Sequence, residues 1–163
     1  MKLTLYVLCA LLASVLVAAR LGLFAGQPPS DLGVVEGRLK PPSATRNSVS
    51  SQVHLHPGHG QTEYARIAPL ALLDHDPTAS MQALVSVLAG RPEIHLVRRE
   101  HDYLYAQATT RWLRFVDDLE FWLDPQAGAI QVRSASRLGR EDFGVNRQRL
   151  ESIRAAYQAR ARN

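Results

Sequence analysis

Apolar positions along the chain fall into three patterns. The first is continuous: Leu3–Ala19 (LTLYVLCALLASVLVAA) carries no charge, with Lys2 before it and Arg20 after it. A spanning helix needs about 17–25 mainly apolar residues, so the run suits a membrane segment, and Leu21–Gly26 extend it if Arg20 snorkels to the interface. The second pattern is helical. Met81, Leu84, Val85 and Leu88 recur on one face after Asp76-Pro77, where Asp76 suits an N-cap and Pro77 a first helical position; Gly90 and Pro92 end the run. A second such stripe, Leu150, Ile153 and Tyr157, predicts a helix over Val145–Arg160.

The third pattern alternates. Ile94–Arg98 and Asp102–Ala108 read as strands around a tight turn at Arg99–His101, with Leu104, Ala106 and Ala108 inward and Tyr103 and Tyr105 outward. Leu113–Asp124 and Ala129–Arg137 form a second hairpin through Pro125-Gln126-Ala127-Gly128. Leu113, Phe115, Leu119, Phe121 and Leu123 share one face with Asp117, while Arg114, Asp118, Glu120 and Trp122 share the other. Matching the core faces sets Leu119 opposite Ser134, Phe121 opposite Val132, Asp117 beside Ser136 and Glu120 beside Arg133. A slip of two residues would set Arg114 against Arg137, a disfavoured like-charge pair.

The expected fold is therefore α+β: a single domain with a four-stranded antiparallel sheet of two hairpins. A helix on its N-terminal side and a C-terminal helix flank the sheet, and a hydrophobic leader helix precedes it. By region, 1–26 is a membrane anchor or signal, 27–62 an extended Pro/Ser/His-rich segment, and 63–163 the globular domain. The extended segment holds Pro28, Pro29, Pro41 and Pro42, the composition of a linker that wraps a domain. The outward Tyr103, Tyr105 and Trp122 are expected beneath a helix.

Charge narrows the function. The net charge is +4, but the leader contributes +2 through Lys2 and Arg20. The tail contributes +4 through Arg147, Arg149, Arg154, Arg160 and Arg162 against Glu151, leaving residues 27–143 at −2. A nucleic-acid partner is not expected of a slightly acidic body. The tail arginines read as a solvated helix face, with attraction to anionic headgroups as the alternative. The one cysteine, Cys9, excludes an internal disulfide and a cysteine zinc site. Val17-Ala18-Ala19 offers a cleavage site without a clean A-x-A motif, so an uncleaved anchor is favoured. Either fate exports the rest: a bacterial inner-membrane protein with a periplasm-facing domain, or a periplasmic protein if the leader is removed.

Two stretches carry a resemblance. One is Phe115-Val116-Asp117-Asp118-Leu119-Glu120-Phe121; the other is Arg133-Ser134-Ala135-Ser136-Arg137-x-Gly139-x-x-Asp142-x-Gly144-x-Asn146-Arg147. With Arg46-Asn47-Ser48-Val49-Ser50-Ser51-Gln52 they resemble the domain-of-unknown-function family 1499 of bacterial envelopes and plastids, over about residues 32–157. Asn47, Ser48, Ser50 and Ser51 carry its N-terminal signature. Many members have cysteine at Ser48 and a second one upstream, where this chain has Pro41, Pro42 and Ser43, so no thiol role carries over. The resemblance implies no activity.

The candidate chemistry is polar. Asp117 on a core face must be paired or hydrogen-bonded, whether as an acid/base or as a structural ion pair with Arg133, Arg137 or Arg147. Asp118 and Glu120 are expected on a solvated face with Arg133 and Arg137; Ser134 and Ser136 point with Asp117. Asp142 suits a cap for the last helix, and Asn146 and Arg147 fall in its first turn, Arg147 against the helix dipole. Arg147 or Arg137 is therefore expected to reach an acid of the Asp117–Glu120 strand. These ten residues form a candidate binding cluster. No catalytic residue, metal ligand or cofactor is assigned, and no Gly-x-Ser-x-Gly elbow exists. His54, His56 and His59 share a loop broken by Pro57 and Gly58, which is expected to hold no preformed metal site. The preferred reading is a non-enzymatic envelope module that binds a small molecule or an envelope protein. An enzyme using Asp117 or Asp118 as acid/base is the alternative, and metal binding through His54, His56 and His59 comes third.

Overall fold

The structure, a computed structural model, describes residues 1–160; Arg162 of the basic tail lies outside them. Helix α1 (Lys2–Arg20) is 19 residues long with mean hydropathy 2.1, long and apolar enough to cross a membrane. After an extended strap come β1 (Ser48–Ser50), the short α2 (Thr62–Ala65) and β2 (Leu70–Ala71). Then follow α3 (Pro77–Ala89), β3 (Ile94–Arg99), β4 (Tyr103–Thr109), β5 (Val116–Asp124), β6 (Ala129–Ser136) and α4 (Val145–Arg160).

The sheet has six strands, not four. Its order is β1-β6-β5-β4-β3, all antiparallel, with β2 also on β6. The two added strands lie end to end along β6, β1 against Arg133–Ala135 and β2 against Ala129–Ile130. Three and two residues are too short to show an alternation, and their backbone amides are satisfied by the partner strand rather than by any local pattern.

The β5–β6 register is the predicted one: Leu119 faces Ser134, Phe121 faces Val132, Asp117 faces Ser136 and Glu120 faces Arg133. The first strand of that hairpin begins at Val116, not Leu113, because Arg114 takes a left-handed backbone (φ 59) that breaks an extended run.

Both helices pack on one face. Leu84 and Leu88 of α3 and Leu150, Ile153 and Tyr157 of α4 meet Leu104, Ala106, Leu119, Phe121, Ile130 and Val132 in one core. Val87, rather than Val85, completes the buried side of α3. Asp76 caps α3 by accepting from the Ala79 amide at 2.9 Å. Arg91 Nη2 donates to Ser152 Oγ at 2.9 Å, tying the end of α3 to α4.

The opposite face is covered too. All nine residues of β5 are buried, which an antiparallel strand with one wet face would not show. The cover is the strap, not a helix as expected for the outward aromatics. Leu39 packs there with Tyr103 and Trp122, with Tyr105 alongside.

Candidate functional site

The predicted cluster divides between the two faces of β5 and β6, because side chains alternate along a strand. On the strap face, Glu120 is fully buried rather than solvated. Its Oε1 accepts from Tyr103 Oη at 2.7 Å and from the Gly33 amide at 2.9 Å, and its Oε2 pairs with Arg133 Nη1 at 3.1 Å. Asp118 is likewise buried, held by a two-pronged contact from Arg137: Nε to Oδ2 at 2.9 Å and Nη2 to Oδ1 at 2.7 Å. Such bidentate pairs are the strong, orienting kind. Tyr105 Oη also donates to Asp118 Oδ1 at 2.6 Å. Burial first, then the neighbouring carboxylate, raises both tyrosines above their ordinary range, and the Asp118 contact raises Arg137.

On the helix face, Asp117 pairs with Arg149, whose Nη2 stands 2.6 Å from Asp117 Oδ2. Asn146, fully buried, is the hub beside it. Its Oδ1 accepts from Ser134 Oγ and from Arg149 Nη1, and its Nδ2 donates to Asp142 Oδ2 at 2.7 Å, Ser136 Oγ at 2.9 Å and the Asn47 carbonyl at 3.2 Å. Asp142 accepts from the Gly144 and Asn146 amides at 2.9 and 3.1 Å, the capping role expected of it, and from Tyr64 Oη. Burial alone would raise the Asp142 carboxyl, but the hydrogen bonds from Tyr64, Asn146 and Gly144 outweigh it and hold its pKa below the ordinary value. The Tyr64 hydroxyl is pushed up to about 12, by burial first and then by Asp142.

Sequence reasoning placed ten residues here and missed two partners. Of the two arginines expected to reach an acid of β5, Arg137 does so on Asp118, and Arg147 does not: its Nη2 donates to the Tyr64 carbonyl. The arginine that ties α4 to the hairpin is Arg149, two residues further along. Tyr64 was missed altogether, since its contact with Asp142 spans 78 residues of chain. Arg154 of the tail is also engaged rather than free on a solvated face: it donates to the Pro69 and Ala68 carbonyls at 2.6 Å each and pairs with Glu151, while Arg160 is exposed.

The N-terminal signature closes the same corner. The Asn47 carbonyl accepts from the Ser136 amide, and its Nδ2 donates to the Gly139 carbonyl at 2.7 Å. Ser48 Oγ accepts from the Ser43 amide at 2.7 Å, and Ser50 Oγ accepts from the Gln52 amide at 3.2 Å. Ser51 Oγ donates to Gln131 Oε1 and accepts from the Val132 amide. The distant motifs thus meet along β1 and β6.

The histidines do not converge. His59 uses both ring nitrogens, on the Pro42 carbonyl and the Gln61 amide, and burial lowers the pKa of His56. Among the described residues no three His, Cys, Asp or Glu side chains stand close enough to hold a metal ion.

One cavity touches the cluster. It measures about 490 Å³ and opens between strap and sheet, lined by Asp31, Lys40, Pro41, Asp118, Arg133 and Arg137 among others. Lys40 Nζ pairs with Asp31 Oδ1 at 2.6 Å across its exposed side.

Fold and site together define an α+β domain whose buried polar residues fasten its own segments and whose second sheet face is covered by a strap. The sequence pattern of the family described as "Protein of unknown function (DUF1499)" matches residues 38–157, and the chain belongs to that family. No curated protein and no solved structure matches it.

Proposed function

We propose that this is a non-enzymatic binding module of the bacterial envelope, retained at the inner membrane by α1 with its domain facing the periplasm. The observation that carries the reading is that Asp117, Asp118 and Glu120 are each buried against an arginine. A general base needs a lone pair aimed at substrate, and these carboxylates spend theirs on guanidinium, phenol and amide donors. Removal of the leader would make the same domain a soluble periplasmic one.

The ligand belongs in the strap cavity, whose volume lies within the roughly 300–1,000 Å³ range of small-molecule sites. Lys40, Arg133 and Arg137 are there, each paired with an acid, Asp31, Glu120 and Asp118, so an anionic group of a small molecule enters by taking the place of Asp31 on Lys40. The exposed Lys40–Asp31 pair is weakly held and opens at little cost. Calorimetric titration of the full chain in detergent micelles with succinate and with inorganic phosphate tests this. Saturable binding of either, weakened in Lys40→Gln, is expected; no binding of either contradicts it. The enzymatic alternative retains one feature, that Asp118 borders this cavity.

A further inference from the structure

The end of the domain nearest α1 carries features that neither the core nor the cavity uses. Residues Thr110–Phe115 form a closed loop: the Thr110 amide donates to the Phe115 carbonyl, and the Phe115 amide to Thr110 Oγ1, both at 2.9 Å. Arg114 sits in the left-handed region at its turn. The loop presents Trp112 outward at 62% exposure, with the Arg111 guanidinium 5.1 Å from its ring. It holds two arginines and no acid.

This loop is rooted on the leader. The Phe115 ring packs against Phe24, centroids 5.6 Å apart. A Cβ added at Gly26 would stand 2.8 Å from Arg137 Cβ and 3.1 Å from Leu138 Cγ, so the chain leaving α1 lies directly on the sheet's end. α1 is closed by a terminating turn at Gly22 (φ 80), with Gly22 N to Ala19 O and Leu23 N to Ala18 O at 3.1 Å each, which keeps Leu23 and Phe24 beside the end of the helix. Because Leu23 bonds back to Ala18, Phe24 stays within about one helical turn, roughly 5 Å, of the end of α1. Each interfacial layer of a bilayer is about 5–7 Å deep. With Arg20 at the hydrocarbon boundary, Phe24 and the loop beside it fall in the headgroup layer.

The residues suit that layer. Tryptophan concentrates at membrane interfaces, and arginine near a surface is drawn to anionic headgroups. Exposed Leu138 and Arg140 extend the same end of the domain. We infer that the Thr110–Phe115 loop is a second membrane contact, in which Trp112 seats in the headgroup layer and Arg111 and Arg114 engage anionic lipid, fixing the domain's orientation on the bilayer. This rests on the reading of α1 as a retained anchor.

The test uses the full chain reconstituted in phosphatidylcholine vesicles containing phosphatidylglycerol. Trp112 emission is taken as the difference between the wild type and Trp112→Phe, a substitution at an exposed site that leaves the core untouched. Flotation of the vesicles after an alkaline wash reports α1 separately. The expected result is a floated protein whose Trp112 emission is blue-shifted and is quenched more by lipids brominated near the headgroup than by lipids brominated deep in the chains. Arg111→Gln with Arg114→Gln should reduce that quenching. A protein that floats but whose Trp112 is unquenched overturns the inference and leaves the anchor intact. A protein that fails to float overturns the anchor and this inference with it. Trp112 shielding that appears in lipid-free micelles as protein concentration rises would assign the loop to a second copy and overturn the membrane contact.

Discussion

Arg149, in the second turn of α4, reaches Asp117 on the central strand β5 at 2.6 Å while its other nitrogen contacts Asn146 Oδ1 at 3.1 Å. One guanidinium thereby fastens the last helix to the middle of the sheet. The Asp117 side chain is 4% exposed, so its charge depends on Arg149 as its partner.

Neutralising Asp117 should therefore be felt as lost stability. Asp117→Asn is expected to destabilise the domain by about 1–3 kcal/mol, the range for a disrupted buried hydrogen-bonding group. Arg149→Met should cost more, about 3–5 kcal/mol, because it leaves a buried carboxylate unpaired. Urea unfolding of the two variants checks the order; an unchanged midpoint for Asp117→Asn would move that residue from a structural role to a functional one.

The strap should loosen when Glu120 loses its charge. Glu120 gathers the Gly33 amide, Tyr103 and Arg133 on one carboxylate. Glu120→Gln keeps the shape but weakens three charge-assisted contacts. Trypsin should then cut faster after Arg38, which lies in the strap; Lys40 precedes Pro41 and is not a cleavage site. Equal cleavage rates in variant and wild type would mean that the strap is held by Leu39 and its apolar neighbours alone.

Acid should undo the cap on α4. The Asp142 pKa is below its unfolded value of 3.8, so the carboxylate's contribution is complete above that value and is lost as pH falls through the lower folded pKa. Stability of the wild type should drop below about pH 4, the ordinary carboxylate range. In Asp142→Asn that part of the profile should be flatter and the neutral-pH stability lower by about 0.5–2 kcal/mol, the worth of a helix cap. Thermal melts from about pH 7 down to about pH 2, which carries carboxylates from fully charged to protonated, read both.

Zinc should not bind tightly at His54, His56 and His59, because His59 is already engaged at both ring nitrogens. Stoichiometric, tight zinc uptake that disappears in His56→Ala would refute this.

What the sequence made legible follows from period and face. The register of β5 and β6, the capping residue Asp76, the buried stripe of α4 and the split of Asp117 from Asp118 and Glu120 all come from counting two or 3.6 residues at a time. The burial of Asp118 and Glu120 did not. Polar residues on one face of a strand signal water unless another segment covers them, and the strap carries no periodicity to announce that it will. Nor did the partners of the acids follow. Arg147 and Arg149 are two residues apart and point to different sides of a helix, so choosing between them needs the helix's rotation on the sheet. Strands β1 and β2 were invisible for a related reason, since what holds them is β6 and not their own composition.

The central claim is that the carboxylates of β5 are internal fastenings rather than reacting groups, and Asp118 with Arg137 tests it most directly because this pair borders the cavity. Urea unfolding of Asp118→Asn, Arg137→Met and the double variant gives their coupling. The account predicts a coupling energy of about 0.5–3 kcal/mol, as for residues in direct contact. Effects that add to within about 0.3–0.5 kcal/mol, as for independent sites, would contradict it and leave Asp118 free for chemistry.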